Sequence, residues 1–272
     1  MAHVLAVAVG DIAEKLAAAK RTERAKAAKI LIIDIERLPG LARAWDQKTR
    51  FIHISNFTRL PSLLCLAAKW HGQKPVEFLS AWEDPAAMVR RSWELYDEAD
   101  IVVTYNGVRF DNRHLKSEWL LAGMPPPRPW KDVDLFAVNR STFGFESKSL
   151  QHLCYRLGLD LKSGHYDAVM AEKCIDGDAA AQRTMKRYNI GDVKITEQAY
   201  DRLRGWIPGH PIMGGPVADG ELFCNQCGSG DLRRDGWTLA SVQQYALYRC
   251  ENCGANVRSN LVKRVSNTRG VR

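Results

Sequence analysis

Nowhere in the 272 residues does an apolar run approach the roughly 18 residues that a membrane span needs. No membrane partner is therefore expected. The opening residues, Met1 to Gly10, have no basic segment ahead of their apolar stretch and are followed at once by Asp11 and Glu14. They do not read as a secretory signal, so the expected location is intracellular, in the cytoplasm, or in a host cytoplasm if the chain is viral. The cysteines number seven, an odd count that leaves no disulfide framework to expect in such a compartment. Acidic residues are missing altogether after Glu251.

What is present is ordinary in bulk and uneven in detail. An apolar fraction of 46% and a charged fraction of 26% suit a globular chain and exclude a fibrous or disordered one. The length allows one full domain with a sizeable core and a smaller second one. A net charge of +8 and a pI near 9.2 favour a polyanionic partner.

The chain is organised around Lys29-Ile30-Leu31-Ile32-Ile33-Asp34-Ile35-Glu36. An unbroken β-branched apolar run reads as a central strand buried on both faces. Asp34 and Glu36 stand two residues apart at its C-terminal end, and in a strand that spacing points both carboxylates to one side. Two like charges held together call for a cation between them.

In chain order, residues 1–28 read as a basic helical arm, and the domain proper is expected over 29–207. After a turn at 38–40, residues 63–70 and 75–80 read as two more strands of a meander, followed by a helix over 85–96. A buried strand over 99–105 runs into Asn106-Gly107-Val108-Arg109-Phe110-Asp111 and a helix that ends at Ala122-Gly123. Four prolines make 124–130 an extended connector. Residues 133–136 read as a short strand, 150–157 as a helix closed by Gly158, and 178–203 as one long helix. Strands first, then strand and helix alternating, imply an α/β domain with a mixed sheet. Gly and Pro dominate beyond Gly205, which places a linker at 208–220, a small domain at 221–265 and a basic tail at 266–272.

Two further acidic positions sit where they can return to the central strand. Asp111 opens a helix just after a buried strand, and Tyr188 and Asp192, four apart, share one helix face. Asp34, Glu36, Asp111 and Asp192 are hard oxygen ligands of the kind that suit Mg²⁺ or Mn²⁺. A pair of such ions about 4 Å apart suits phosphodiester hydrolysis.

These motifs, Asp34-Ile35-Glu36, Tyr105-Asn106-Gly107-x-x-Phe110-Asp111 and Tyr188-x-x-x-Asp192, resemble the three exonuclease motifs of the DEDD superfamily of 3′–5′ exonucleases. The tyrosine is similar to that of the DEDDy branch, which includes the proofreading domains of family B DNA polymerases. The resemblance implies a ribonuclease H-like mixed sheet flanked by helices and a two-metal site. In it Asp34 bridges both ions, Glu36 and Asp192 complete the site of the ion that activates water, and Asp111 holds the second ion. Tyr188 would orient the attacking water, while Asn106 and Phe110 would line the groove for the 3′-terminal nucleotides. Arg37 departs from the pattern, standing where the proofreading domains carry Thr, and a guanidinium there suits a phosphate grip. The substrate expected is a single-stranded DNA 3′ end. RNA, a lapsed nucleic-acid or replisome binding module, and a structure-specific endonuclease are the alternatives. Lys148 and Lys162 are read as solvated surface before phosphate contacts.

Beyond the linker, Cys224-Asn225-Gln226-Cys227-Gly228 and Cys250-Glu251-Asn252-Cys253-Gly254 form two Cys-x-x-Cys knuckles. Four thiolates in tetrahedral array make a structural Zn²⁺ site, here of the zinc-ribbon kind. Cys65, Cys154 and Cys174 are expected to be plain buried thiols. The basic residues Arg233, Arg234, Arg249, Arg258, Lys263, Arg264, Arg269 and Arg272 suit sequence-indifferent contact with nucleic acid, although from Ser266 onward a disordered, solvated tail is the expectation. A replication or repair protein is the other partner such a ribbon can serve.

Overall fold

A computed structural model describes residues 28–46, 48, 50–161, 164, 166–213, 222–240 and 243–265, the last five by backbone alone. The arm expected at 1–28 (apart from Ala28), Lys162, most of the linker and the tail at 266–272 lie outside the described residues. The chain divides into two compact units, one spanning Lys29–Asp201 and the other taking in Arg202–Arg272.

The first unit is built on strand β1 (Ile30–Leu38), whose apolar residues are all but sealed from solvent. The described elements that follow are a small hairpin, β2 (Leu41–Ala42) and β3 (Phe57–Arg59), then β4 (Ser62–Trp70), β5 (Glu77–Ser80), α1 (Pro85–Glu98), β6 (Ile101–Thr104) and α2 (Asp111–Leu121). The unit continues with β7 (Lys131–Asp134), α3 (Leu135–Thr142), α4 (Leu150–Leu157), α5 (Ala168–Ile175) and α6 (Ala179–Leu203), the last running two residues into the second unit. The main sheet has the order β5-β4-β1-β6-β7. β4 pairs antiparallel with both β1 and β5, whereas β1–β6 and β6–β7 are parallel. This is a mixed sheet with the meander on one side of the central strand and the parallel crossovers on the other.

Alternation along β1 sorts its residues between two cores. Leu31, Ile33 and Ile35 pack with Met88, Leu95 and Tyr96 of α1 and Leu115 and Trp119 of α2. The opposite face packs Leu38, Leu64 and Cys65 against Ala171 and Cys174 of α5 and Met185 of α6. Cys65, Cys154 and Cys174 are buried free thiols.

Local chemistry fixes the helix starts. Asp84 caps α1 through the Ala87 N–H with Pro85 next in line, and Asp134, Ser149 and Asp167 cap α3, α4 and α5. Two of these helices differ from the reading of the sequence. Residues 133–136 were expected to be extended, yet the strand ends at Asp134, because its carboxylate accepts from the Phe136 and Ala137 N–H groups and turns Leu135 into the first helical residue. Helix α5 lies in a stretch left without an element.

In the second unit, β8 (Leu232–Leu239), β9 (Gln243–Cys250) and β10 (Asn256–Val265) form an antiparallel sheet of order β10-β9-β8. Cys224, Cys250, Ala255 and Val257 are its buried centre.

A polar chain crosses the first core. The fully buried Tyr96 donates its hydroxyl to Asn112 Oδ1 at 2.6 Å, and Asn112 Nδ2 donates to Asp132 Oδ1 at 2.8 Å. Tyr96 also packs edge-on against Trp119 and Trp130, with centroids 5.0 and 4.9 Å away. Tyr96→Phe keeps the packing and leaves Asn112 Oδ1 without its donor. Urea denaturation should show a loss of about 1–3 kcal/mol, with an unchanged m-value.

Candidate active site and cysteine cluster

Strand β1 delivers Asp34 and Glu36 to the face that α6 covers, since Glu36 pairs with Cys65 of the α5/α6 core. Helix α6 brings the buried Asp192 to the same place. Carboxylate oxygens of Asp34, Glu36 and Asp192 all lie within 4.8 Å of one another. Such a set of hard donors, two half-buried and one buried, fits a divalent cation of the Mg²⁺ or Mn²⁺ kind. Their field reaches Cys65, whose thiol is pushed well up by burial and further by Glu36 and Asp34.

Asp111 is placed differently from the other three. The parallel ladder between β1 and β6 ends at Ile32↔Val103, and further along β1 the Ile35 N–H is taken at 3.0 Å by Asp111 Oδ1 from the first turn of α2. Asp111 thus stands beside the acidic strand but outside the set of three. Burial pushes its pKa up to about 6, against the lowering effect of the Ile35 and Asp111 N–H groups, and Asp134 adds to the rise.

The loop that carries Asp111 is tightly specified. Asn106 adopts φ 70°, a left-handed conformation that Asn tolerates better than most residues. A Cβ on Gly107 would lie 2.4 Å from Thr104 side-chain atoms, so only glycine fits. Asp134 accepts from the Asn106 N–H at 2.8 Å and the Val108 N–H at 3.3 Å, tying the loop to the start of α3. Asn106 is therefore a turn residue first. Phe110 is 40% exposed, with its ring 4.7 Å from that of His114, and so stands outside the core.

Arg37 alternates onto the face opposite Glu36. Its Nη1 lies 3.4 Å from His114 Nε2, while its Nε is buried without a partner among the described residues. Burial, then Arg37 and Arg113, lowers the His114 pKa, which keeps the imidazole neutral and able to accept from the guanidinium. Tyr188 packs at the edge of the α5/α6 core with its ring centroid 6.3 Å from Tyr166. Tyr166 in turn donates its hydroxyl to the Arg37 carbonyl, and burial together with Glu36 holds its phenol protonated. Lys148 is not solvated: its Nζ donates to the Phe143 and Phe145 carbonyls, both at 2.9 Å.

Reading the sequence missed Asn189. It is fully buried, and its Nδ2 donates to Asp34 Oδ2 at 2.7 Å and to the Asp34 carbonyl at 3.3 Å. That holds the Asp34 carboxylate in place beside Glu36 and Asp192. Its position next to Tyr188 and one turn before Asp192 was the available signal.

In the second unit the four sulfurs of Cys224, Cys227, Cys250 and Cys253 also lie within 4.8 Å of one another, with Cys224–Cys253 at 3.6 Å and Cys227–Cys250 at 3.5 Å. A tetrahedral zinc with bonds near 2.3 Å requires edges of roughly 3.8 Å, so the cluster fits Zn²⁺. Gly228 and Gly254, at φ 78° and 73°, make the knuckle turns. Burial opposes ionisation at Cys227, yet Asn252, the Ser229 N–H and the neighbouring thiols bring it down to about 7. Burial keeps Cys224 and Cys253 high. The four become thiolates together only with a cation to hold them.

A family model of the RNase H superfamily matches residues 64–204, and the chain belongs to that superfamily. Membership supports a nuclease function. Among solved structures the chain is similar to a family B DNA polymerase from the hyperthermophilic archaeon Pyrobaculum calidifontis, at 19% identity and a TM-score of 0.50. The match covers 65% of this chain and 25% of the polymerase, so the chain spans about a quarter of that protein's length, and the likeness is one of fold. No curated protein matches the sequence.

Asn189→Ala frees the Asp34 carboxylate to rotate. Calorimetric titration with Mn²⁺ should show affinity weakened by about 10- to 100-fold, while circular dichroism stays that of the parent.

Proposed function

We propose that the Lys29–Asp201 unit is a metal-dependent 3′–5′ exonuclease that removes nucleotides from single-stranded DNA. The observation that carries this reading is the convergence of Asp34, Glu36 and Asp192 within 4.8 Å, at the end of a central strand in an RNase H fold. A domain without metal chemistry gains nothing from mutual repulsion of that size, about 4 kcal/mol for a pair 4 Å apart at an effective dielectric near 20.

In this reading Asp34, Glu36 and Asp192 hold the cation set, with Asp111 serving a second ion once its carboxyl turns from the Ile35 N–H. Bound divalent ions supply an acidified water and charge neutralisation at the phosphate. Tyr188 orients the attacking water through its hydroxyl, since a phenol near pKa 10 is too weak a base to take the proton at neutral pH. Asn189 keeps Asp34 aimed. Phe110, exposed at the head of α2, offers a ring on which the terminal base stacks. Asn106 shapes the loop that presents it, and Arg37 with His114 meets the strand's phosphate.

The test uses a 5′-labelled single strand, as DNA and as RNA, incubated with Mg²⁺ or Mn²⁺. The expected outcome is a ladder shortening from the 3′ end of DNA, with Asp34→Ala slower by about 1000-fold, the equivalent of several kcal/mol of lost charge stabilisation. Faster loss of the RNA strand would move the substrate to RNA. Internal cuts or equal rates in the two chains would refute the exonuclease assignment.

A further inference from the structure

Charge on the small sheet is sorted by partner. Arg233 donates to Glu251 at 2.6 Å and lies 4.0 Å from Asp235, while Arg249 lies 3.7 Å from Asp235. Arg234 and Arg258 have no carboxylate partner among the described residues and lie on aromatic rings instead. The Arg234 guanidinium is 4.5 Å from the Trp237 centroid and 5.3 Å from that of Tyr248, and Arg258 is 4.3 Å from Tyr245.

A bulge creates the first of these stacks. Residues three apart on a regular strand face opposite sides. Here Arg234 pairs with Tyr248 and Trp237 with Ala246, so three steps on β8 match two on β9, and Arg234 and Trp237 share a face. Gly236, at φ 90°, supplies the conformation this needs, and its carbonyl accepts from Arg234. A second Arg234 donor contact, to the Leu247 carbonyl at 3.0 Å, fixes the guanidinium. One side of the indole is therefore braced by a cation while the residue stays 47% exposed. The sequence also places Lys263 and Arg264 on β10, and no acid follows Glu251.

We propose that this sheet is a single-strand nucleic-acid platform, on which an unpaired base stacks on Trp237 while the Arg234 guanidinium on the same face supplies positive charge to the strand. The inference deepens the nuclease reading and rests on it for the purpose of the grip: a second hold on the same polypeptide keeps the strand near the site that degrades it. Positive charge left without a carboxylate favours a polyanion over a protein partner, because protein interface cores are depleted of charge. A rigid half-exposed ring favours unpaired bases over a duplex, whose bases are already stacked.

The test is fluorescence anisotropy of the full-length Asp34→Ala chain with oligo-dT of about 16 nucleotides. Because that chain is used for binding alone, failure of the nuclease reading would leave the result standing. Trp237→Ala, checked to retain zinc, should weaken binding by about 5- to 100-fold with Trp237→Phe restoring most of it. Arg234→Gln, likewise checked to retain zinc, removes the cation on the same face and should lower the salt slope by about 1. Unchanged affinity in zinc-loaded Trp237→Ala, an unchanged salt slope in zinc-loaded Arg234→Gln, or equal binding of duplex DNA would overturn the proposal.

Discussion

Mutual repulsion among Asp34, Glu36 and Asp192 is the constraint on which the rest of the first unit turns. Three carboxylates whose oxygens lie within 4.8 Å of one another are unfavourable without a cation, and the fold nonetheless drives them together. It does so with apolar burial: Ile32, Ile33 and Ile35, on the strand that ends in the acids, are sealed from solvent, and Met185 and Val193 anchor the helix that brings Asp192. The strain is placed where a metal relieves it. Asn189, donating to Asp34, contributes orientation and not charge, so it sharpens the site without neutralising it.

The edge of the site is set by where β6 stops. Because its ladder with β1 ends at Val103, the later Ile35 N–H is open to a side chain, and Asp111 occupies it. The Asn106 turn and the glycine demanded by Thr104 bring Asp111 to that point. Asp134 serves the loop and helix α3 at once, so one carboxylate couples the 106–110 loop to the parallel side of the sheet.

Much of this was legible in the sequence because it depends on short-range periodicity. The run at 30–35 could only be a buried strand, and a two-residue spacing in a strand means one face. The four cysteines and their glycines likewise carry their geometry in their spacing. What stayed hidden depends on tertiary endpoints. Nothing local says that the Asp111 carboxyl is engaged by the Ile35 N–H, since that follows from where another strand terminates. Asn189 looks like any polar helix residue until the helix phase is set against β1. Leu135-Phe136 read as strand because apolar pairs are ambiguous when short, although Asp134 was already a capping residue. On a regular strand Arg234 and Trp237, three apart, would face opposite ways, and only the bulge at Gly236 reverses that.

The central claim, that the acidic cluster is built for a cation, is tested most directly by the stability of Asp192→Asn. Urea denaturation of parent and variant should be compared in metal-free buffer and in excess Mg²⁺, with zinc retained in both. The account predicts that Asp192→Asn is the more stable chain without Mg²⁺. Only the parent should gain with the ion, by about 2.7 kcal/mol at a hundredfold excess over the dissociation constant. A variant less stable than the parent in the absence of Mg²⁺, or an equal gain in both chains, would contradict it.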